Sequence, residues 1–466
     1  MITKHIIAYL QQMRIPTVDV NYRQFIDQWH DWYAGKVEEF HSYSVFNGIN
    51  QIAMERASLN MAKTVAEDWA NLLLNERVVI AAGDEAKQAA LDKLLQINRF
   101  SVEGNRSVEH AFALGTGAWS EYMDADGVPR IDYHDAMSIW PLAWQGNEIT
   151  ECAFASVESF DGEKCIYIRM YRRGVAGYVI NNVWLDYESG KEIGGPAGVQ
   201  AEVQTTLQCP PFQIITPNIA NNIDTTCPMG ISVFANAIDA LKGVDVAFDS
   251  LRNEYILGRK RLMVPVSMVQ VELQKDGTRG PVFDPNDLVY TAYTPGEDQK
   301  DGFHDLSPEI RAEEHLIGIR TQLNILSFKC GLGSGRYEFE RTGGVRTATE
   351  VVSEQSDLYQ SLQKHAKVLS VALHNLAHTL LIMAGYKEPG DIKITFDDSI
   401  IQDKSTIRAE ARDEVSAGLM SKKWYLVNVR GLSDDQAEEE LQRIRSESGV
   451  TAATVDFFGA LGSGNA

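Results

Sequence analysis

Three apolar seams at helical spacing constrain this 466-residue chain more than any other feature. Phe234, Ile238, Leu241, Val244, Phe248, Leu251 and Tyr255 lie three or four residues apart, the repeat that stacks side chains on one helix face. Leu316, Ile319, Leu323 and Leu326 form a second seam; Leu358, Leu362, Ala366, Leu369, Leu373, Leu376 and Leu380 form a third. The first seam predicts one helix over Met229–Gly258, roughly 40 Å long at the usual rise per residue, with Gly258 in the left-handed closing position. The second helix is expected to open at Ser307-Pro308, a cap followed by proline in the first turn. The third opens at the capping box Thr347-Ala-Thr-Glu350 and closes near Gly385. Between the first two helices the period is lost: Leu262–Leu273 is strand-like, and Lys275-Asp276-Gly277 and Thr294-Pro295-Gly296 read as turns. Between the second and third lies a glycine-rich stretch from Cys330 to Arg346.

Before these helices the chain reads as mixed α+β. Helices are expected over Tyr22–Phe40, Gln51–Glu76, Glu85–Gln96 and Arg106–Leu114, each with its own apolar or aromatic stripe. Ala118–Met123 and Val128–Tyr133 flank the turn Asp124-Ala-Asp-Gly127 as a hairpin. Strands follow at Glu148–Val157, Cys165–Arg172, Gly177–Leu185, Val203–Leu207 and Phe212–Thr216. After the third long helix come a short strand at Lys393–Phe396 and three short helices. Gly418 ends the first of these, Ser421 starts the second, and Ser433-Asp-Asp-Gln436 caps the third; a flexible tail is expected over 451–466.

Three long helices with one apolar seam each, separated by a β insert at one end and a glycine-rich loop at the other, make a thin layer. A thin layer leaves apolar area wet in a lone chain and can bury it when copies repeat around an axis, so a ring-like homo-oligomer is expected. The 43 basic and 64 acidic residues give a net charge of −21. That excludes the basic stripe of a static nucleic-acid binder. It suits both an acidic channel wall that repels phosphates and a charge that simply keeps large chains apart. Five scattered cysteines with no Cys-x-x-Cys pair argue for reduced thiols and against a zinc ribbon. No signal-peptide pattern and no window of eighteen uninterrupted apolar residues occurs, so synthesis in a cytoplasm and no membrane span are expected.

Several stretches together resemble phage portal (head-to-tail connector) proteins, most nearly those of long-tailed phages of Gram-positive hosts. These are Pro228-Met-Gly-Ile-Ser-Val-Phe-Ala-Asn-Ala-Ile-Asp239, Lys242-Gly-Val-Asp-Val-Ala-Phe-Asp249 with Glu254, Ala62–Glu76, Thr347–Glu350, and Phe396-Asp-Asp-Ser399 with Ala417-Gly418. The resemblance implies a portal fold with a mixed α/β wing over residues 1–227 and stem helices over 228–258 and 307–329. It implies a small β-rich clip over 259–306, a tunnel loop over 330–346, a long helix and wing strand over 347–400 and a helical crown over 401–450. The implied assembly is a ring, usually of twelve subunits, at one capsid vertex of the virion, built in the host cytoplasm. The implied partners are the terminase motor, a head-completion adaptor, scaffolding and major capsid protein, and double-stranded DNA in transient contact.

In the stretch matched to the tunnel loop, Arg336, Arg341 and Arg346 alternate with Glu338 and Glu340 around Tyr337 and Phe339. Such a loop touches phosphates and lets go, because neighbouring carboxylates offset the attraction; a plain flexible connection with solvated charges is the alternative. Arg259-Lys260-Arg261 is the densest basic run. It suits a channel mouth or an acidic motor subunit, and equally a solvated helix C-terminus. No catalytic residues, metal or cofactor are expected. Gly331-Leu-Gly-Ser-Gly-Arg336 lacks the Lys-Ser/Thr ending of a phosphate-cradling loop. His374 and His378 have ligand spacing but no adjacent glutamate, and Asp397, Asp398 and Asp403 lack the partners of a Mg²⁺ nuclease. A different virion adaptor or minor head protein, or a phage nuclease, are the competing readings.

Overall fold

The structure, a computed structural model, describes residues 2–46, 50–75, 78–258, 262–265, 271–273, 279–281, 290–293, 304–305, 308–337, 348–396, 411–434, 436–444 and 446. Two compact units divide the chain at Phe396. In chain order the first unit begins with α1 (Ile2–Gln12), α2 (Val20–Ala34), α3 (Glu38–His41), β1 (Ser42–Phe46), β2 (Gln51–Glu55) and α4 (Met61–Leu73). Next come β3 (Val79–Ala82), α5 (Glu85–Ile97), α6 (Phe100–Leu114), β4 (Gly117–Met123), β5 (Pro129–Asp135), β6 (Ile139–Gln145), β7 (Glu148–Phe160), β8 (Glu163–Arg173) and β9 (Tyr178–Asp186). The short strands β10 (Glu192–Ile193), β11 (Glu202–Gln204) and β12 (Phe212–Ile215) lead into α7 (Ile238–Leu257). The insert contributes β13 (Leu262–Pro265), β14 (Val271–Leu273), β15 (Arg279–Pro281), β16 (Tyr290–Tyr293) and β17 (His304–Asp305), and the unit closes with α8 (Ala312–Lys329), α9 (Ala348–Met383) and β18 (Ile392–Thr395).

The α+β expectation holds. An antiparallel meander β6-β7-β8-β9 continues into β10 and β11, and one of its faces is dry because α1 lies on it. Ile6, Tyr9 and Leu10 meet Trp140, Leu142, Ile166, Ile168 and Leu185 there. A second sheet, β12-β4-β5, packs under α6, and β18 pairs with β3 in register Ile392↔Ala82 to Thr395↔Val79. The strand near Lys393 thus returns to the N-terminal part, as the resemblance implied. In the insert, β13 pairs parallel with β16 and antiparallel with β17.

Four helix expectations change. Gln51–Glu55 is a strand, and α4 starts only at Met61, because Asn60 sits at φ +50 and the N–H groups of Ala57 and Leu59 bond to α7 instead of to a helix of their own. The Tyr22–Phe40 helix stops at Gly35, which closes α2 at φ +74. The first long helix begins at Ile238 and not Met229. The approach to it is tied laterally, with Val233 N donating to Phe112 O (2.9 Å) and Gly230 N to Thr116 Oγ1 (3.0 Å). Gly258 ends that helix at φ −76, so it is not left-handed. Finally α8 starts at Ala312, beyond Ser307, which lies outside the described residues together with Thr347.

The third seam also has a different partner from the one expected. Helix α9 lies against α4, α5, β4 and β12, where Leu369, Leu373, Leu376 and Leu380 are fully buried or nearly so. Its segment Asp357–Met383 has the length and apolarity of a membrane-crossing helix, and half of it is accounted for as core. Of the three seams, those of α7 and α8 are the ones left to form a thin layer among the described residues. In it Phe234, Leu241, Val244, Ile319, Leu323 and Leu326 are buried, Ile238, Phe248 and Leu251 are half-buried, and Leu316 is exposed. On α8, Ile317, Ile325 and Phe328 are exposed on the side away from its buried seam; on α7, Val246 is exposed off the seam, and the seam residue Tyr255 near the insert end is exposed as well.

In the second unit the described helices run over 411–416, Lys422–Asn428 and 436–444. Gly418 is left-handed at φ +72, and Ser421 Oγ caps Trp424 N. Ser433 and Gln436 form a reciprocal capping box, Ser433 N donating to Gln436 Oε1 and Gln436 N to Ser433 Oγ. These starts and stops match the sequence expectation.

The closest backbone approach lies where the chain enters α7. A Cβ on Gly230 would meet Gly115 O at 2.4 Å, and one on Gly115 would meet Gly230 O at 2.5 Å with φ at +84. Neither strand of chain can move aside, since Tyr22 Oη also donates to Gly230 O (2.8 Å). Gly230→Ala is expected to lower stability by about 2 kcal/mol or more, read as a drop in the thermal midpoint. An unchanged midpoint would show that this crossing is loose.

Candidate functional site

Helix α7 carries two carboxylates four residues apart on its body-facing side, and both are buried. Asp245 Oδ1 accepts from Leu59 N (2.8 Å), and its Oδ2 accepts from Ser58 Oγ (2.9 Å) and faces His41 Nε2 (3.1 Å). Asp249 Oδ1 accepts from Ala57 N (3.0 Å), and its Oδ2 from Asn253 Nδ2 (2.9 Å). Charge-assisted bonds from backbone N–H groups offset the desolvation of a buried carboxylate. Both ends of the excursion from His41 to Leu59 are fastened by them to one helix face. Arg56 completes the root, donating to Phe40 O and lying over the Phe40 and Tyr43 rings. The motif around Asp245 and Asp249 was legible in the sequence, but the expectation drew only its apolar seam. Two acidic residues at i, i+4 beside a seam were the signal missed.

At its other end α7 is bracketed to α8. Arg311 donates from Nε to Glu254 Oε1 (3.1 Å) and from Nη2 to Oε2 (3.0 Å), its backbone N–H also reaches Oε1 (3.2 Å), and His315 lies beside Oε2 (3.5 Å). Hydrogen bonds from Arg311 hold the Glu254 carboxyl down to about 2. Gly243 meets the Gln322 side chain where the helices cross, so a Cβ there would fall 2.4 Å from Gln322 Oε1. The pair is thus an antiparallel hairpin that presents the β insert at its Glu254–Arg311 end.

At the other end of α8 the structure narrows the expected loop. Residues 330–337 are docked, not projecting. Trp69 Nε1 donates to Cys330 O (3.0 Å), Ser327 Oγ donates to Gly333 O (2.5 Å), and Cys330 and Leu332 are buried. Burial lifts the Cys330 thiol to about 12. Arg336 Nε donates to Asp68 Oδ2 (3.3 Å), and Tyr337 is half-buried. Burial first, and the nearby Asp68 charge second, hold the Tyr337 phenol above its ordinary range. Gly331, Gly333 and Gly335 alternate in the left-handed region at φ +77, +78 and +79, so these glycines make a tight docked coil possible. Of the residues expected to face DNA, Arg336 pairs with Asp68 on α4 and Tyr337 is half-buried beside it. Glu338, Phe339, Glu340, Arg341 and Arg346 lie outside the described residues, as do Arg259, Lys260 and Arg261.

Trp69 is also the hub on which three helices meet. It is fully buried, with the rings of Phe112 on α6 at 6.1 Å and His365 on α9 at 4.6 Å. His365 Nδ1 accepts from Asn218 N (2.9 Å). Burial, with a smaller push from Lys364, lowers the His365 pKa to about 3. His374 and His378 stack at 6.2 Å on α9, and burial lowers the His378 pKa. Among the described residues no group of three or more His, Cys, Asp or Glu side chains is placed to hold a metal. Asp397, Asp398 and Asp403 fall outside them.

A seam-bearing helix hairpin with a β insert at one end, and a long helix returning into a mixed body, is the order of elements the resemblance implied. The family described as phage portal protein, SPP1 Gp6-like, matches residues 14–452 of this chain. The chain belongs to that family. A portal protein functions in viral DNA packaging as a head-tail connector of the virion, and its family is a structural one that works as an oligomeric ring at a capsid vertex. No curated protein matches the chain at a significant level.

Two outcomes test the anchors of this portal chain. Asp245→Asn replaces a charged acceptor with an amide that turns N–H groups toward existing donors, and is expected to cost about 3 kcal/mol in urea denaturation; a change below measurement error would mean that the carboxylate is not needed. His365 sets an acid limb. Its folded pKa lies below the unfolded 6.5, so its contribution is complete above that value and is lost as pH falls from there toward 3. The slope is about 1.4 kcal/mol per pH unit. Against His365→Gln, the stability advantage of the parent is expected to shrink by that amount per unit between roughly pH 6 and pH 4, measured by denaturant titration at each pH.

Proposed function

We propose that this portal chain assembles through its α7–α8 hairpins as a ring of twelve whose pore conducts double-stranded DNA, and that it performs no chemistry of its own. The supporting observation is the pair's unburied side. Most seam residues pack inward, yet Ile317, Ile325, Phe328 and Val246 off the seam, and Tyr255 at its end, remain in water, more apolar surface on one hairpin than a lone chain needs to expose. In this reading residues 1–227 are the wing and α7 and α8 the stem. The insert over 259–306 is the clip that meets the terminase motor and later a head-completion adaptor, and the helices after 401 are the crown. The basic run Arg259-Lys260-Arg261 stands where α7 hands over to that insert, a position suited to a channel mouth. Scaffolding and major capsid proteins contact the wing during assembly in the host cytoplasm.

The DNA-facing loop is then the stretch after Tyr337. Arg341 and Arg346, interspersed with Glu338 and Glu340 around Phe339, give contacts to phosphate that are weak singly and repeated by every copy. Arg336 and Tyr337 act as its mooring on α4. Removing residues 338–346 while leaving 330–337 in place is expected to preserve rings in negative-stain images and to reduce packaged DNA by tenfold or more, an order-of-magnitude expectation. Full packaging with the shortened loop rules out the grip. Plasmid incubated with the protein and Mg²⁺ is expected to stay intact, and nicking would restore the nuclease reading.

A further inference from the structure

We propose that the β1–β2 hairpin is an arm that reaches out of its own chain and lays its apolar face on the neighbouring copy in the ring. This rests on the ring reading above and adds a contact that the helix hairpin does not supply.

The arm is two-sided. Register pairs Tyr43 with Met54 and Val45 with Ile52 on one face, and Ser42 with Glu55 and Ser44 with Ala53 on the other. The first face is apolar; the second is small or polar until its far end, where Phe46 pairs with Gln51. Along the apolar face, cover runs out with distance from the root. Tyr43 and Met54 are half-buried, whereas Val45 and Ile52 are 47% and 43% exposed; on the other face Phe46 is 61% exposed. Among the described residues neither outer edge of the hairpin pairs with another strand. A two-stranded ribbon without a third strand or a packed face is marginal in water.

The root is the opposite. The buried Asp245 and Asp249 hold Ala57, Ser58 and Leu59 on one side, and His41 on the other. The hairpin is therefore rigidly aimed but unsupported at its far half, as expected of an element that finishes its packing on another molecule.

Charge selects the occupant. Between Ser42 and Glu55 there is one carboxylate and no lysine or arginine, so the arm offers nothing to phosphates. A chain of net charge −21 meets its own copy with least repulsion through surfaces that carry few acids. The arm is such a surface, and its root shares α7 with the exposed apolar side at Val246.

The test places a benzophenone amino acid at Val45 in the full-length chain. Unlabelled and ¹⁵N-labelled copies are mixed before assembly and irradiated, and the linked peptides are read by mass spectrometry. Links that join labelled to unlabelled chains support the arm. Rings that form normally but give only intrachain links, links to DNA in packaged particles, or no links overturn the arm and leave the conduit reading standing. A chain that stays monomeric by light scattering with its arm intact overturns both. In parallel, Val45→Ser combined with Ile52→Ser is expected to change the thermal midpoint of the dissociated subunit little, because the two side chains pack mainly on each other within its own chain. It is expected to raise the concentration at which rings fall apart by about tenfold; unchanged dissociation counts against the arm.

Discussion

Burying a carboxylate in a helix face is costly unless something donates to it, and in this chain the donors are backbone N–H groups from a distant stretch. Asp245 and Asp249 therefore decide more than their own environment. By accepting from Ala57, Ser58 and Leu59 they stop α4 from extending backwards, aim the β1–β2 hairpin, and fix the rotation of α7 about its axis. With that rotation set, the inward seam meets α8, and Val246 on the opposite side is left outside. The exposed apolar side of the hairpin is thus a consequence of a polar anchor.

The sequence carried the element order well where one signal acted alone. The hairpin around Asp124–Gly127, the strands from Glu148 to Asp186, the third long helix and the caps at Ser421 and Ser433 follow from local rules, because their hydrogen bonds close within a few residues. It failed where a local pattern competed with a distant partner. Gln51–Leu59 has helical spacing, but Gln51–Glu55 pair with Ser42–Phe46, and the N–H groups of Ala57 and Leu59 are claimed by residues nearly two hundred positions away. Met229–Phe234 continues the apolar seam, but Phe112 and Thr116 take its backbone. The loop after Cys330 has the glycines of a mobile connection, and the partners that dock its first half, Asp68 and Trp69, belong to α4. In each case the local pattern gave the backbone conformation wrongly because it carries no information about the distant partner.

The candidate site divides along the same line. The α7 and α8 seams were named from sequence and are largely buried, Leu316 and Tyr255 excepted. Asp249, Glu254 and Trp69 lie in the stretches that carry the resemblance, but their pairings, Asp245 and Asp249 with residues 57–59, Glu254 with Arg311 and Trp69 with His365, were not read, since a charged or aromatic residue does not say which distant group it will meet. Such pairings are a property of the fold, and they explain how a chain with so acidic a balance keeps two carboxylates dry on one helix.

Glu254 and Arg311 yoke the two helices at the insert end, and Trp69 moors the far end of α8 through Cys330 O. Each end of α8 thus has its own tether, to α7 at the insert end and to α4 at the other, so that helix is braced between its partner and the body of the first unit. The entry to α7 is held differently, by a crossing of Gly115 and Gly230 that has no side chain on either to act as a cushion.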